Sequence, residues 1–234
     1  SGEYSIHRTD LRHRPAIYSG AFEAAYPSVY GLTVDRQAIA IRIPRIGLRR
    51  LDIATGELTE FDGGGLSVNM MGPKIDPYSE TVVGFGYTDD LNRQIFIDPD
   101  LAALHDELKQ ILSENSVTIG SWSADRSKMV VIGRDAGQPA NYYLLDLETG
   151  SLGGLGSTYS RPDGLGFPST EAIAYEASDG LEIPGYLTLP PGETRDSGPF
   201  PLIVMSHGGP QARTTARFDW WTAYLASLGY AVLQ

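Results

Sequence analysis

The residues best suited to chemistry are His207, Gly208, Gly209 and Pro210, a Gly-rich turn that follows the apolar run 202–205. A tetrahedral intermediate of acyl transfer carries negative charge on the former carbonyl oxygen, and fixed backbone N–H groups stabilise it. Losing one such donor costs about 3 to 4 kcal/mol. Glycines let the main chain approach closely, because they have no side chain in the way. In α/β-hydrolases one donor belongs to the residue after the nucleophile, and another comes from the loop after the third strand, where HGG-type turns occur. The same residues also suit a plain tight turn, and the motif alone does not separate the two readings. The setting favours the oxyanion loop: a hairpin before it, an apolar strand leading in and an amphipathic helix after it.

On this reading Gly209 and Gly208 build the oxyanion hole, while His207 and Pro210 shape the loop. His207 is not the catalytic base, because in such hydrolases the nucleophile, acid and base all follow this loop in the chain. No GxSxG occurs: Ser67 in GLSVN and Ser123 in SWSAD lack the closing glycine. The nucleophile, acid and base are therefore expected after Gln234. Arg213 and Arg217 flank the loop, where they could meet a substrate carboxylate or sit solvated at a helix start. His105 has Asp106 and Glu107 beside it but no second ligand at i+4, so it reads as a surface or partly packed histidine. No metal and no cofactor are expected. The absence of cysteine removes disulfides, thiolate zinc sites and Cys nucleophiles.

The elements that must position the loop can be traced outward from it. Ile173 and Tyr175 alternate, a Ser-Asp-Gly turn follows at 178–180, and Ile183, Gly185, Leu187 and Leu189 alternate again, which predicts a β-hairpin. The run 202–205 is apolar at every position, which predicts a strand buried on both faces of a mainly parallel sheet. Phe218, Trp221, Leu225 and Leu228 fall at helical spacing before Gly229, and another strand starts at Tyr230.

The earlier part of the chain repeats. The pattern LDxxTGxL occurs at 51–58 and again at 145–152, 94 positions on, with Asp98 between the copies and Asp10 as a weaker early member. The aspartates 10, 52, 98 and 146 are spaced by 42, 46 and 48. Asp35, Asp76 and Asp125 recur in phase, each ahead of an apolar strand. A period in the 40s with short strands predicts four-stranded propeller blades, about three to four of them. The Asp, Thr and Gly residues serve as turn chemistry in this reading, and Trp122, Tyr142 and Tyr143 as blade packing. One amphipathic helix interrupts the pattern, with Leu101, Leu104, Leu108, Ile111 and Leu112 as its apolar stripe. A Gly, Ser and Pro-rich stretch at 153–170 predicts a domain boundary, giving a partial β-propeller at 1–164 and the start of an α/β-hydrolase domain at 165–234. The fold class is mainly β with α/β.

With 18 Lys plus Arg against 29 Asp plus Glu, the formal net charge is -11, which argues against nucleic acid and anionic membranes as partners. No apolar stretch reaches the ~20 residues that span a bilayer. Both termini read as cut, so the remainder of the hydrolase domain is an expected partner, together with a peptide substrate and, in a homo-oligomer, a second copy. The cytoplasm is the expected compartment, with the periplasm as the alternative.

The segments DGLEIPGYLTLPPG, PLIVMSHGGP and YLASLGYAVLQ resemble the opening of the hydrolase domain in the prolyl oligopeptidase family, most closely its acylaminoacyl-peptidase branch. SWSADRSKMVVIG, YYLLDLETG and FIDPDLAAL resemble the propeller before that domain. The resemblance implies a Ser, Asp, His peptidase whose propeller restricts the active site to peptides or small acyl substrates, with Gly209 as oxyanion donor. His207 stands where another branch has a tyrosine. An esterase with the same machinery and a non-catalytic propeller module are the alternatives.

Overall fold

The computed structural model describes residues 2–7, 13, 15–22, 26–61, 70–160, 166–209 and 212–234. Asp10, Ser67 and Pro210 lie outside the described residues, as do 164 and 165 at the expected domain boundary. The chain divides into two compact units, one of residues 1–88 and 94–106, the other of 89–93 and 107–234.

In the first unit β1 (Gly2–His7) and β2 (Ala16–Phe22) form an antiparallel pair. Next comes an antiparallel meander of β3 (Ser28–Thr33), β4 (Ala38–Ile43), β5 (Gly47–Asp52) and β6 (Leu58–Thr59). A second meander has β7 (Met70–Ile75), β8 (Thr81–Thr88) and β9 (Asn92–Phe96). The two blades join through a parallel contact of β3 with β8, Leu32 opposite Thr81 and Thr33 opposite Val82. Apolar residues fill both faces of this sheet: Ala40, Leu48, Val82 and Phe85 in one cluster, Ile41, Ile43 and Leu51 in the other.

The repeated aspartates work as turn residues. Asp35 accepts from the Thr33 hydroxyl at 2.5 Å and from Gln37 N–H at 3.0 Å, just before β4. Asp52 accepts from Ala54 and Thr55 N–H at 2.9 Å each, and Gly56 follows at φ +73°. A Cβ at Gly56 would stand 2.3 Å from Ile17 O, so glycine is required there both by conformation and by space.

Asp98 makes the same turn, accepting from Asp100 and Leu101 N–H at 3.1 Å, yet the chain goes on into a helix, α1 (Pro99–Ile111), where the first blade has its outer strand. Asp at the N-cap with Pro at the first helical position explains the switch. Leu101 and Leu108 are buried, but Ile111 is 68% exposed, so the apolar stripe stops short of the position expected for it. His105 corrects the sequence reading more sharply: it is 5% exposed and meets Phe96 edge-on at 5.3 Å. Lying four residues after Leu101, it occupies a buried position on the stripe, which an imidazole ring can fill by packing as an aromatic.

The second unit contains a complete four-stranded antiparallel blade, β10 (Ser116–Trp122), β11 (Lys128–Arg134), β12 (Asn141–Asp146) and β13 (Ser151–Ser157). Asp125 and Asp146 repeat the turns of Asp35 and Asp52, and Gly150 takes φ +65° as Gly56 does. Sheet membership changes between Ser157 and Thr170. The next sheet has the order β14 (Thr170–Glu176), β15 (Glu182–Thr188), β17 (Ala231–Leu233), β16 (Leu202–Val204), with α2 (Trp220–Ser227) connecting β16 to β17. The hairpin β14–β15 is antiparallel, and β16 pairs parallel with β17. The fold is mainly β with α/β, a partial propeller followed by the first strands and helix of a hydrolase domain.

Two expectations for this sheet change. Leu202 and Val204 are 56% and 68% exposed, so β16 is not buried on both faces. It ends the sheet order with β17 as its partner, and α2 packs on β17 and β15. On α2 the inward face carries Thr222 and Ala226, while Trp221 and Leu228 are half exposed and Phe218 precedes the helix. Small residues let the helix approach the sheet, and the bulky ones turn outward, Trp220 stacking on Trp221 at 4.6 Å.

In the blade of the second unit the Tyr143 hydroxyl donates to Glu114, which also accepts from Asn141 Nδ2 at 3.3 Å. That bond to the carboxylate pushes the Tyr143 phenol up to about 12. Because the folded value lies above the ordinary ~10, this bond's contribution to stability is complete below pH ~10 and is lost as pH rises through about 12. The absorbance titration of the protein minus that of Tyr143→Phe should show a phenolate midpoint near 12, and Glu114→Gln should bring it back toward ~10.

Candidate functional site

The loop after β16 starts inside the sheet, because Met205 N–H still donates to Leu233 O at 2.8 Å. Ser206 and His207 then leave the strand, and Gly208 and Gly209 turn the chain. Gly209 has φ +72°, where a side chain is strained, although a Cβ there would meet nothing within 4 Å. Conformation, and not crowding, thus calls for glycine at 209. His207 is exposed, with Nδ1 3.4 Å from Gly208 O.

Beside the loop an open cleft of about 490 Å³ is lined by Ser206, His207, Arg213, Arg217, Phe218 and Trp221, among others. The structure brings His207, Arg213 and Arg217 together around one space. The two arginines differ in what holds them. Arg217 is exposed and donates from Nε to the Thr215 hydroxyl at 3.2 Å. Arg213 reaches away to Asp90 Oδ1 at 3.6 Å and to the Tyr186 hydroxyl at 3.4 Å, and that hydroxyl in turn donates to Asp90. Burial, and then the bond to Asp90, raises the Tyr186 pKa.

Asp219 lies in the wall of the cleft and caps α2, Oδ1 accepting from Trp221 N–H at 2.8 Å and Thr222 N–H at 3.2 Å. Its other oxygen accepts from Gln234 Nε2 at 3.4 Å. An Asp just before an apolar helical run is a readable N-cap signal. Asp90 and Tyr186 gave no such signal, being 96 residues apart. Among the described residues no group of three or more His, Asp or Glu is placed to hold a metal, and no helix is long and apolar enough to cross a membrane.

No protein-family model matches the chain. A curated relative, dipeptidyl aminopeptidase BIII of Pseudoxanthomonas mexicana, is 26% identical over 219 residues, 87% of this chain and 31% of the relative. A solved puromycin hydrolase is similar with a TM-score of 0.56 at 20% identity, covering 98% of this chain and 36% of that one. One of two solved prolyl endopeptidases gives a TM-score of 0.60 at 14% identity, covering 97% and 33%. The chain thus spans about a third of the length of these proteins and has the fold of the prolyl-oligopeptidase-family serine peptidases.

The cap on α2 gives a direct test of how the cleft wall is held. Asp219→Ala should destabilise the protein by about 1 kcal/mol, read from the urea midpoint, and Asp219→Asn should recover most of the loss.

Proposed function

We propose that the full-length polypeptide containing this chain is a serine-type peptidase that cleaves peptide or acyl-peptide bonds. Residues 1–164 are its propeller part and 165–234 the opening of its hydrolase domain. The observation that carries the reading is the glycine turn at the C-terminal end of β16, with Gly209 at φ +72° in a strand, loop, helix, strand order. A nucleophilic serine, an acid and a histidine base follow Gln234. The serine attacks the carbonyl, and the histidine takes its proton and later passes it to the leaving amine. Gly209 supplies a backbone N–H to the oxyanion, with Gly208, His207 and Pro210 shaping the loop around it. The propeller restricts entry to peptides, and the acylaminoacyl-peptidase branch is the proposed place within the family. The partners are a peptide substrate, the rest of the hydrolase domain and, in a homo-oligomer, further copies. The proposed compartment is the cytoplasm.

Intact mass together with a fluorophosphonate probe tests this reading on the natural full-length polypeptide. A longer chain with one labelled serine beyond Gln234, and cleavage of peptide substrates that labelling abolishes, is the expected result. A coding sequence that ends at Gln234, or a full-length chain that takes no label, would overturn it. Gly209→Ala places a methyl group on a left-handed residue at a cost of about 1 to 2 kcal/mol. The loop relieves that strain by moving its N–H, so kcat should fall by about tenfold or more while KM stays close to wild type.

A further inference from the structure

The segment that leaves the glycine turn is held from two sides within the second compact unit. Ala216 N–H donates to Asp90 O at 2.8 Å, and Gly137 N–H donates to Ala216 O at 2.7 Å. Ala216 is buried with Leu91 and Tyr186, and Ala136 packs against them. The β8–β9 turn and the turn after β11 therefore hold the bend at Ala216, one through its N–H and the other through its C=O.

One polar cluster stands at this grip. The Tyr186 ring is 7% exposed, so its hydroxyl is fixed by packing, and it donates to Asp90. Arg213 Nη2 lies 3.4 Å from that hydroxyl and 3.6 Å from Asp90 Oδ1. Three segments far apart in sequence meet here: the turn 88–92, β15 and the stretch just after the loop. Arg213 lies four residues beyond Gly209, so it fixes the far end of the loop whose near end Met205 holds in the sheet. An ion pair this exposed adds little to global stability. Its effect falls on the geometry of the loop.

We propose that Asp90, Tyr186 and Arg213 form a clamp that positions the Gly209 N–H, which makes Arg213 a positioning residue instead of a substrate contact. The inference rests on the reading of Gly209 as an oxyanion donor. It also makes the β8–β9 turn part of the machinery that sets the loop.

The test uses Asp90→Ala, Arg213→Gln and Tyr186→Phe in the full-length polypeptide. Two readouts are compared with wild type: kcat and KM per active site, and hydrogen exchange of the amides at 207–209 and 211–212. The clamp predicts faster exchange in the loop and a fall in kcat of about 10- to 100-fold, as a misplaced group produces, with KM and the thermal midpoint near wild type. The rate of fluorophosphonate labelling should fall in step with kcat, since that reaction also places charge on the oxyanion. Arg213→Lys, which keeps the charge, should recover part of the loss. If the polypeptide cleaves peptides and the variants match wild-type kcat, the clamp is overturned while the peptidase reading stands. If no peptide is cleaved and no serine is labelled, the peptidase reading fails. The exchange measurement then decides the clamp alone, and unchanged exchange overturns it.

Discussion

A tight turn leaves backbone N–H groups without ladder partners, and in this chain an aspartate oxygen repeatedly accepts them. Asp35, Asp52, Asp98, Asp125, Asp146 and Asp219 each accept at least one backbone N–H from the two or three residues that follow. What comes next depends on the neighbours. Gly56 and Gly150 turn the chain back into a hairpin strand, and Pro99 carries it into α1. The same bond caps α2 beside the cleft. At Asp125 the Ser123 hydroxyl, and then the Ser127 N–H, hold the carboxylate charged and bring its pKa down to about 2. These six aspartates are therefore committed to backbone geometry.

The two sheets of the second unit illustrate different ways of using apolar residues. In the blade β10–β13, Met129 and Val131 are buried in alternation along β11, and Ile119 and Trp122 of β10 are buried on either side of the register shift between Ile119 and Ser121. In the sheet with β16 the apolar residues outnumber the partners available to them among the described residues. Leu202, Val204, Trp220, Trp221 and Tyr224 are all at least half exposed.

The propeller part was legible in the sequence because its signals are local. An Asp turn, a β-branched run and a TG turn each lie within a few residues, and their recurrence in phase placed an apolar strand after Asp35, Asp76 and Asp125, where β4, β8 and β11 lie. The glycine turn and its flanking strand and helix were legible for the same reason. Burial was less so. A fully apolar run such as 202–205 states a preference for burial but not the presence of a cover, and a histidine at a heptad-like spacing can be core or surface with the same letters around it. The grip on Ala216 and Arg213 was not legible, because its partners at 90, 137 and 186 come from other elements and are set by tertiary packing.

The sheet order β14, β15, β17, β16 has a consequence in time. β17 is made last of the four, yet it lies between β15 and β16 and is the strand through which β16 joins the sheet. On a ribosome the hairpin β14–β15 can close as soon as it emerges, since its contacts are near in sequence. β16 must wait with its backbone unpaired until α2 and β17 have been synthesised. The glycine turn therefore acquires its shape only after the blade β10–β13 and the hairpin β14–β15 have been able to close.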